Sequence, residues 1–272
     1  MKDPTETAAI RTAWGRQLKR RYRSLRGRVN QLFTQGKVPF DAAFVEFFDA
    51  WFTAESAKLF AGDWQDKYIR DAYAKGLLMS GINTGIDAIH TDSIKTLSKR
   101  AKSDLAAALV VMRAQSLERI SDGILAAASK RDMAESVKDR INKIGQSRSI
   151  LIANTITPYA HNVAAIKAAT IAGGDIKMLW ITRQDERVRT THALRNRRTY
   201  SLKVAMNLLG EPGCRCRVKP VLVDEKAAKG YKEIRTEGLA VSIQAQKDRK
   251  FYATLREGER AEGYSGGYDG LF

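Results

Sequence analysis

IAGGDIKMLWITRQD, residues 171–185, is where the chain changes character. On its N-terminal side, apolar residues recur three and four apart, as on the buried face of a helix. Beyond Gly173–Gly174, the apolar run from Ile176 to Ile181 is short and strand-like. CRCRVKPVLV, residues 214–223, alternates and is rich in Val, and reads as a second strand. The pattern predicts an α+β protein: a mostly α-helical N-terminal region, a small α+β module with a short β-sheet, and a flexible C-terminal tail. The segments expected are 1–90, basic and aromatic-rich; 91–174, helical and leading into the module; 175–223, the module; and 224–272, the tail. The tail ends in EGYSGGYDGLF, too polar and glycine-rich to bury much.

The helical text before residue 174 carries its own punctuation. Pro39 and Asp41 suit a helix start, and breaks are expected near Gly81 and Gly85. Leu117, Ile120 and Ile124 repeat at helical spacing. Ser129 followed by Asp132 resembles a capping box, with Asp in place of Glu. SRSILIANTITPYAHNVAAIKAATIAGG, residues 147–174, reads as a further helix that stops at Gly173–Gly174, with Pro158 expected to kink or interrupt it. His90 and His161 read as ordinary helix residues.

Composition sets wider limits. A chain of 272 residues with 44% apolar side chains can bury a real core. No apolar run approaches the roughly 20 residues of a membrane helix; the longest is LAAALVVM, residues 105–112. The N-terminus lacks the layout of a signal peptide, so cytosolic synthesis with reduced thiols is expected. The net charge of +17 points to a polyanionic partner without choosing one.

Much of that charge is concentrated. Between Thr7 and Phe40 there is no acidic residue. RTAWGRQLKRRYRSLRGRVNQLF, residues 11–33, places Leu18, Tyr22, Leu25, Val29 and Leu32 at helical spacing. Arg16, Lys19, Arg20, Arg21, Arg23, Arg26 and Arg28 are the candidate nucleic-acid contacts, since phosphates need only charge and reach. Membrane-surface binding or a solvated helix face are the other readings. Farther on, Phe44, Phe48 and Trp51, with Phe47 and Phe52 beside them, form an aromatic stripe expected in the core or at a subunit interface.

Cys214 and Cys216 are the only cysteines, one residue apart. A disulfide between them would close too small a ring to constrain the fold. A C-x-C pair on an extended strand points both thiols to one face. With Asp185 and His192 in the same module, two readings stand: a closed site for Zn2+, and a hydrogen-bonded network over buried cysteines.

The whole pattern, Trp180, Thr182, Asp185, Arg187, Arg189, His192, Cys214, Cys216 and Pro220, resembles the C-terminal module of phage Mu F-like minor head proteins. That module looks like W-x-T-x-x-D-x-R-V-R-x-x-H, a variable insert, and C-R-C-x-x-x-P. The resemblance covers about 129–223, and Ile156 stands where the family usually carries Glu. It implies a structural protein, not an enzyme, in the head interior near the portal vertex of a tailed bacteriophage, made in the host cytoplasm. The implied partners are the portal, scaffold and major capsid proteins and packaged DNA, with roles in head assembly, DNA packaging or ejection. The module's structural residues would be Trp180, Asp185, Arg187, Arg189 and His192. The rival reading is a metal-independent nuclease or phage-encoded toxin, with His192 as general base among Arg187, Arg189, Arg195, Thr190, Thr191 and Tyr200.

Overall fold

The structure, a computed structural model, describes residues 3–35, 40–83, 88–183, 185 and 187–222. It is α+β and mostly helical. Five long helices come first: α1 (Ala8–Gln35), α2 (Ala42–Phe60), α3 (Asp66–Ser80), α4 (Ala88–Leu125) and α5 (Lys130–Ala172). The module follows as β1 (Ile176–Ile181), α6 (Thr190–Arg195), β2 (Thr199–Tyr200), α7 (Leu202–Asn207) and β3 (Arg217–Leu222). The expected tail, Pro39 and the break at Gly85 lie outside the described residues.

Local chemistry sets the helix ends. Asp41 caps α2 by accepting the Ala43 N–H at 2.9 Å, a contact of a kind worth about 1 kcal/mol. Ser129 accepts the Asp132 N–H at 3.2 Å, so the serine half of the expected capping box starts α5; the Asp132 carboxylate takes the Ser129 hydroxyl, at 2.7 Å, in place of the reciprocal backbone N–H. Gly173, at φ 68°, ends it in the left-handed region, where a side chain would be strained. The expected interruption at Pro158 is absent: α5 runs through it. Pro158 lacks an N–H and leaves one carbonyl without its helical partner. The residues around it, Ile156, Tyr159, Ala160 and Val163, are buried, and that packing outweighs one lost bond.

The chain forms two compact units, each discontinuous in sequence. This grouping cuts across the segments 1–90, 91–174 and 175–223, because α1, α4 and α5 each contribute to both units. One unit comprises 12–64 and 101–153. Its core takes Trp14, Leu18, Tyr22, Leu25, Val29 and Phe33 from α1. Leu32, expected inside, is half-exposed; the four-residue step from Val29 puts Phe33 there instead. Phe44, Phe48 and Phe52 line the buried face of α2, with Phe33 and Phe44 edge to face at 5.3 Å. Trp51 is half-exposed and Phe47 exposed, so the expected stripe is shifted by one residue toward Phe52.

The other unit comprises 1–11, 65–100 and 154–272. Here α3 and the second half of α5 approach closely at Gly76, where an added Cβ would lie 2.1 Å from the His161 carbonyl oxygen. His90 and His161 are buried helix residues, as expected. His90 Nδ1 meets the Tyr73 hydroxyl at 2.8 Å. Burial holds the His161 pKa down at about 4, so its imidazole is neutral at pH 7.

The sheet has the order β2-β1-β3, antiparallel throughout. Trp180 sits opposite Val218 and Met178 opposite Pro220 and Tyr200. The Val218 N–H points away from β1, to the side chain of Asn162. By strand alternation the nitrogen of Pro220 points the same way, where β1 needs no donor. Among the described residues no helix is long and apolar enough to cross a membrane.

Gly76→Ala should destabilise the protein by about 3 kcal/mol, because backbone rather than a movable side chain blocks the new Cβ. Gly27→Ala, where nothing lies within 4 Å of the new Cβ, should instead stabilise α1 by up to about 1 kcal/mol. Denaturant unfolding of both variants measures the contrast, and equal effects would place the α3–α5 approach elsewhere.

Candidate functional site

His192 lies on α6, and the two cysteines lie on the segment entering β3. Three side-chain hydrogen bonds from α5 fix that segment. Thr155 Oγ1 accepts the Gly213 N–H at 2.9 Å; Asn162 donates to the Cys216 carbonyl at 2.8 Å and accepts the Val218 N–H at 3.0 Å. Gly213 has φ 69°, which lets the chain turn tightly just before Cys214. Arg100, lying over the Tyr159 ring, donates to the Gly210 carbonyl at 3.0 Å and anchors the turn from the α4 side.

These supports bring His192, Cys214 and Cys216 together. All three are buried, and one ligand atom from each lies within 4.8 Å of the other two. His192 Nδ1 is 3.2 Å from Cys216 Sγ and 3.5 Å from Cys214 Sγ. Its other nitrogen, Nε2, meets Glu211 Oε2 at 2.8 Å. Arg189 reaches Glu211 Oε2 and Arg195 reaches Oε1, each at 3.2 Å. Trp180, fully buried on β1, meets the His192 ring edge to face at 6.2 Å, and the Arg195 guanidinium lies over the indole.

The charges follow from this arrangement. Burial opposes the charged form of His192, but the hydrogen bonds and charges of Cys214 and Glu211 outweigh it and raise its pKa to about 9. Burial likewise opposes the Glu211 carboxylate; His192, Arg195 and Arg189 overcome it and hold the pKa near 2. The two thiols share one ionisation. The hydrogen bond from Cys216, with help from His192, pulls Cys214 well below the usual thiol range. The same bond, and burial, push Cys216 well above it.

The cluster can hold a metal ion. Zinc–nitrogen and zinc–sulfur bonds of about 2.0 and 2.3 Å at a tetrahedral angle put nitrogen and sulfur about 3.5 Å apart. The observed 3.2 and 3.5 Å fit that spacing. A carboxylate on the remote histidine nitrogen is the usual support of a metal-bound imidazole, and Glu211 supplies it. Among the described residues no fourth ligating side chain joins the group.

Asp185, expected as the fourth partner, is held elsewhere. It accepts two hydrogen bonds from Arg215, both at 2.8 Å, and one from the Arg187 N–H. Arg215 chiefly holds the Asp185 carboxyl below its usual range. Arg187 itself is exposed. Glu211 is the partner that sequence reasoning missed. Its only local signal was a carboxylate three residues before Cys214.

The basic residues of α1 also divide. Arg21 donates to the Leu59 carbonyl and lies over the Trp64 ring, and Arg28 pairs with Glu55 on α2. Arg16, Arg20 and Arg23 are exposed, with Lys19 and Arg26 half-exposed between them. They form one stripe opposite the buried face, because 16, 19, 20, 23 and 26 repeat at helical spacing. Among the described residues the Arg20 guanidinium bonds only to Gln17, at 3.2 Å.

Comparison with protein-family models, curated proteins and solved structures finds no match to this chain.

Glu211 gives a pH signature. A carboxyl held below its unfolded pKa adds stability above that value, about 4.5, and loses it as pH falls toward the folded value, about 2. The Glu211 side chain is 36% exposed, so solvent screens its ion pairs and the expected contribution is only about 1 kcal/mol. Metal-free protein should therefore exceed Glu211→Gln in stability by that amount at pH 6, with the gap closing by about pH 2. Denaturant melts across this range test it, and a gap that does not change with pH would assign the loss to packing.

Proposed function

We propose that this chain is a structural minor head protein of a tailed bacteriophage, bound at the portal vertex inside the head. It would act in head assembly, DNA packaging or DNA ejection, with the portal protein as its direct partner and the scaffold and major capsid proteins as neighbours. The observation that carries the reading is the ordered set from Trp180 through His192 to Cys214, Cys216 and Pro220, in the spacing of Mu F-like head modules. The burial of Trp180, His192 and both cysteines in one cluster supports a structural role for that set. The exposed stripe of Arg16, Lys19, Arg20, Arg23 and Arg26 suits a protein that sits against packaged DNA.

The enzymatic reading has less support. His192 is 3% exposed, and both of its ring nitrogens are already engaged. A general base needs a free lone pair within reach of substrate.

The cluster itself we read as a zinc site, with His192 Nδ1, Cys214 Sγ and Cys216 Sγ as ligands. Bound there, Zn2+ would act as a cross-link between α6 and the segment entering β3. A module with so short a sheet gains much from such a link. The alternative is the metal-free network, in which the imidazole donates to the thiol pair and Glu211 completes the chain.

Procapsids purified from infected cells should contain this protein together with the portal, and its absence from assembled particles would overturn the head-protein reading. Protein purified without chelators should carry about one zinc per chain. Chelation should then lower its melting temperature, and Cys216→Ser should abolish zinc retention. Protein that folds with no metal bound would leave the network as the correct account of the cluster.

A further inference from the structure

The sheet has two faces: one packs into the core, and the other is covered only in part, where Met79 at the end of α3 takes the Arg217 guanidinium. Met178, Trp180 and Thr182 point to the buried side, with Tyr200, Cys216 and Val218. On the other face the register sets Lys177 opposite Val221, Leu179 opposite Lys219, and Ile181 opposite Arg217. One step beyond the strand ends, the same register brings Arg183 across from Arg215, and both guanidinium groups pair with Asp185. This face thus carries Lys177, Arg183, Arg215, Arg217 and Lys219 against the carboxylate of Asp185 and, beside Arg217, that of Glu6, over a floor of Leu179, Ile181 and Val221.

The cations differ in how far they are committed. Arg183 and Arg215 share Asp185, and Arg217 donates to the Met79 carbonyl at 2.7 Å. Lys219 is exposed and Lys177 half-exposed. Neither lysine's ammonium group has a hydrogen bond or ion pair among the described residues. Like charges two residues apart on a strand lie about 7 Å from each other, and they repel unless an anion covers them.

We propose that this outer face of the sheet binds the phosphate backbone of duplex nucleic acid. The spacing suits it: positions about 7 Å apart match the through-space separation of neighbouring phosphates of one strand, of which the axial rise of about 3.4 Å is only one component. Among the described residues this face has no ring to offer a base, because Trp180 and Tyr200 point to the buried side. Binding here is therefore to phosphate and not by base stacking, so it is neutral to sequence and does not prefer single strands. The proposal stands on the sheet alone. It depends neither on the head-protein reading nor on the α1 stripe, which belongs to the other compact unit.

The test is a salt titration of the full chain on a duplex of about 30 base pairs, read by fluorescence anisotropy. Lys177→Gln with Lys219→Gln removes two phosphate contacts and should reduce the slope of log K against log salt by about 1.8. At about 0.1 M salt that corresponds to binding weakened about 60-fold. Lys177→Arg with Lys219→Arg should keep the wild-type slope. Arg16→Gln, Arg20→Gln and Arg23→Gln form a separate arm that reports on α1, so failure of one contact is distinguishable from failure of the other. An unchanged slope in the Gln pair, with an unchanged melting temperature, overturns the proposal. So does a Gln pair that still binds duplex normally but no longer binds polyglutamate, which would make the partner an acidic protein.

Discussion

Asn162 stands where a neighbouring strand would stand. Its amide donates to the Cys216 carbonyl and accepts the Val218 N–H, closing the pattern that a strand partner would close. At 1% exposure the side chain has no water to turn to. Each bond is worth about 1 kcal/mol net, but leaving such a buried group unpaired costs about 1–3 kcal/mol. Thr155 repeats the device at Gly213. Seven residues separate Thr155 from Asn162, two turns of helix on one face and about 10 Å of rise. The cysteine segment is laid along that rise, so a long helix rather than the small sheet decides where the thiols sit. This is why the unbroken course of α5 through Pro158 matters: an interruption there would separate the two anchors.

Around the thiols the charges are arranged so that no ion is left alone. Glu211 is shared by His192, Arg189 and Arg195, and the His192 imidazole faces the two thiols on its other side. A buried ion pair gains little over apolar packing, but a buried ion that has lost its partner is strongly destabilising. The group is therefore a specificity device more than a source of stability. It accepts one arrangement of α6 and the cysteine segment and penalises the rest. A metal ion and a proton-shared network both satisfy it, because each places positive charge between the imidazole and the sulfurs or on them.

What the sequence disclosed was local. The caps at Asp41 and Ser129, the stop at Gly173 and the first strand rest on neighbours a few residues away, and each is found where the residues imply; the second strand, expected from Cys214, begins at Arg217. Three things were out of reach. Asp185 looked like a ligand because it is a carboxylate in the same small module as His192 and the two cysteines. But Arg215 stands between the cysteines, alternation sends it to the opposite face of the strand, and it takes Asp185 with it. Glu211 was overlooked because its partners lie 16 to 22 residues away in the chain. On α1 the periodicity gave the phase of the helix but not the reach of its side chains, so nothing foretold that Arg21 and Arg28 would swing onto α2 and the segment after it. The two-residue β2 is too short for any periodic signal.

The position of Pro220 bears on how copies of this protein behave when crowded. A sheet grows by adding a strand to its rim, and growth needs a row of free N–H and C=O groups there. On β3 that row is broken twice: Asn162 occupies the Val218 N–H, and Pro220 has no N–H to give. At the other rim β2 offers only Thr199 and Tyr200, too short a template to hold an incoming chain. The three-stranded sheet is thus closed to polymerisation at both ends, and many copies can be held at high concentration without joining into a continuous β-structure.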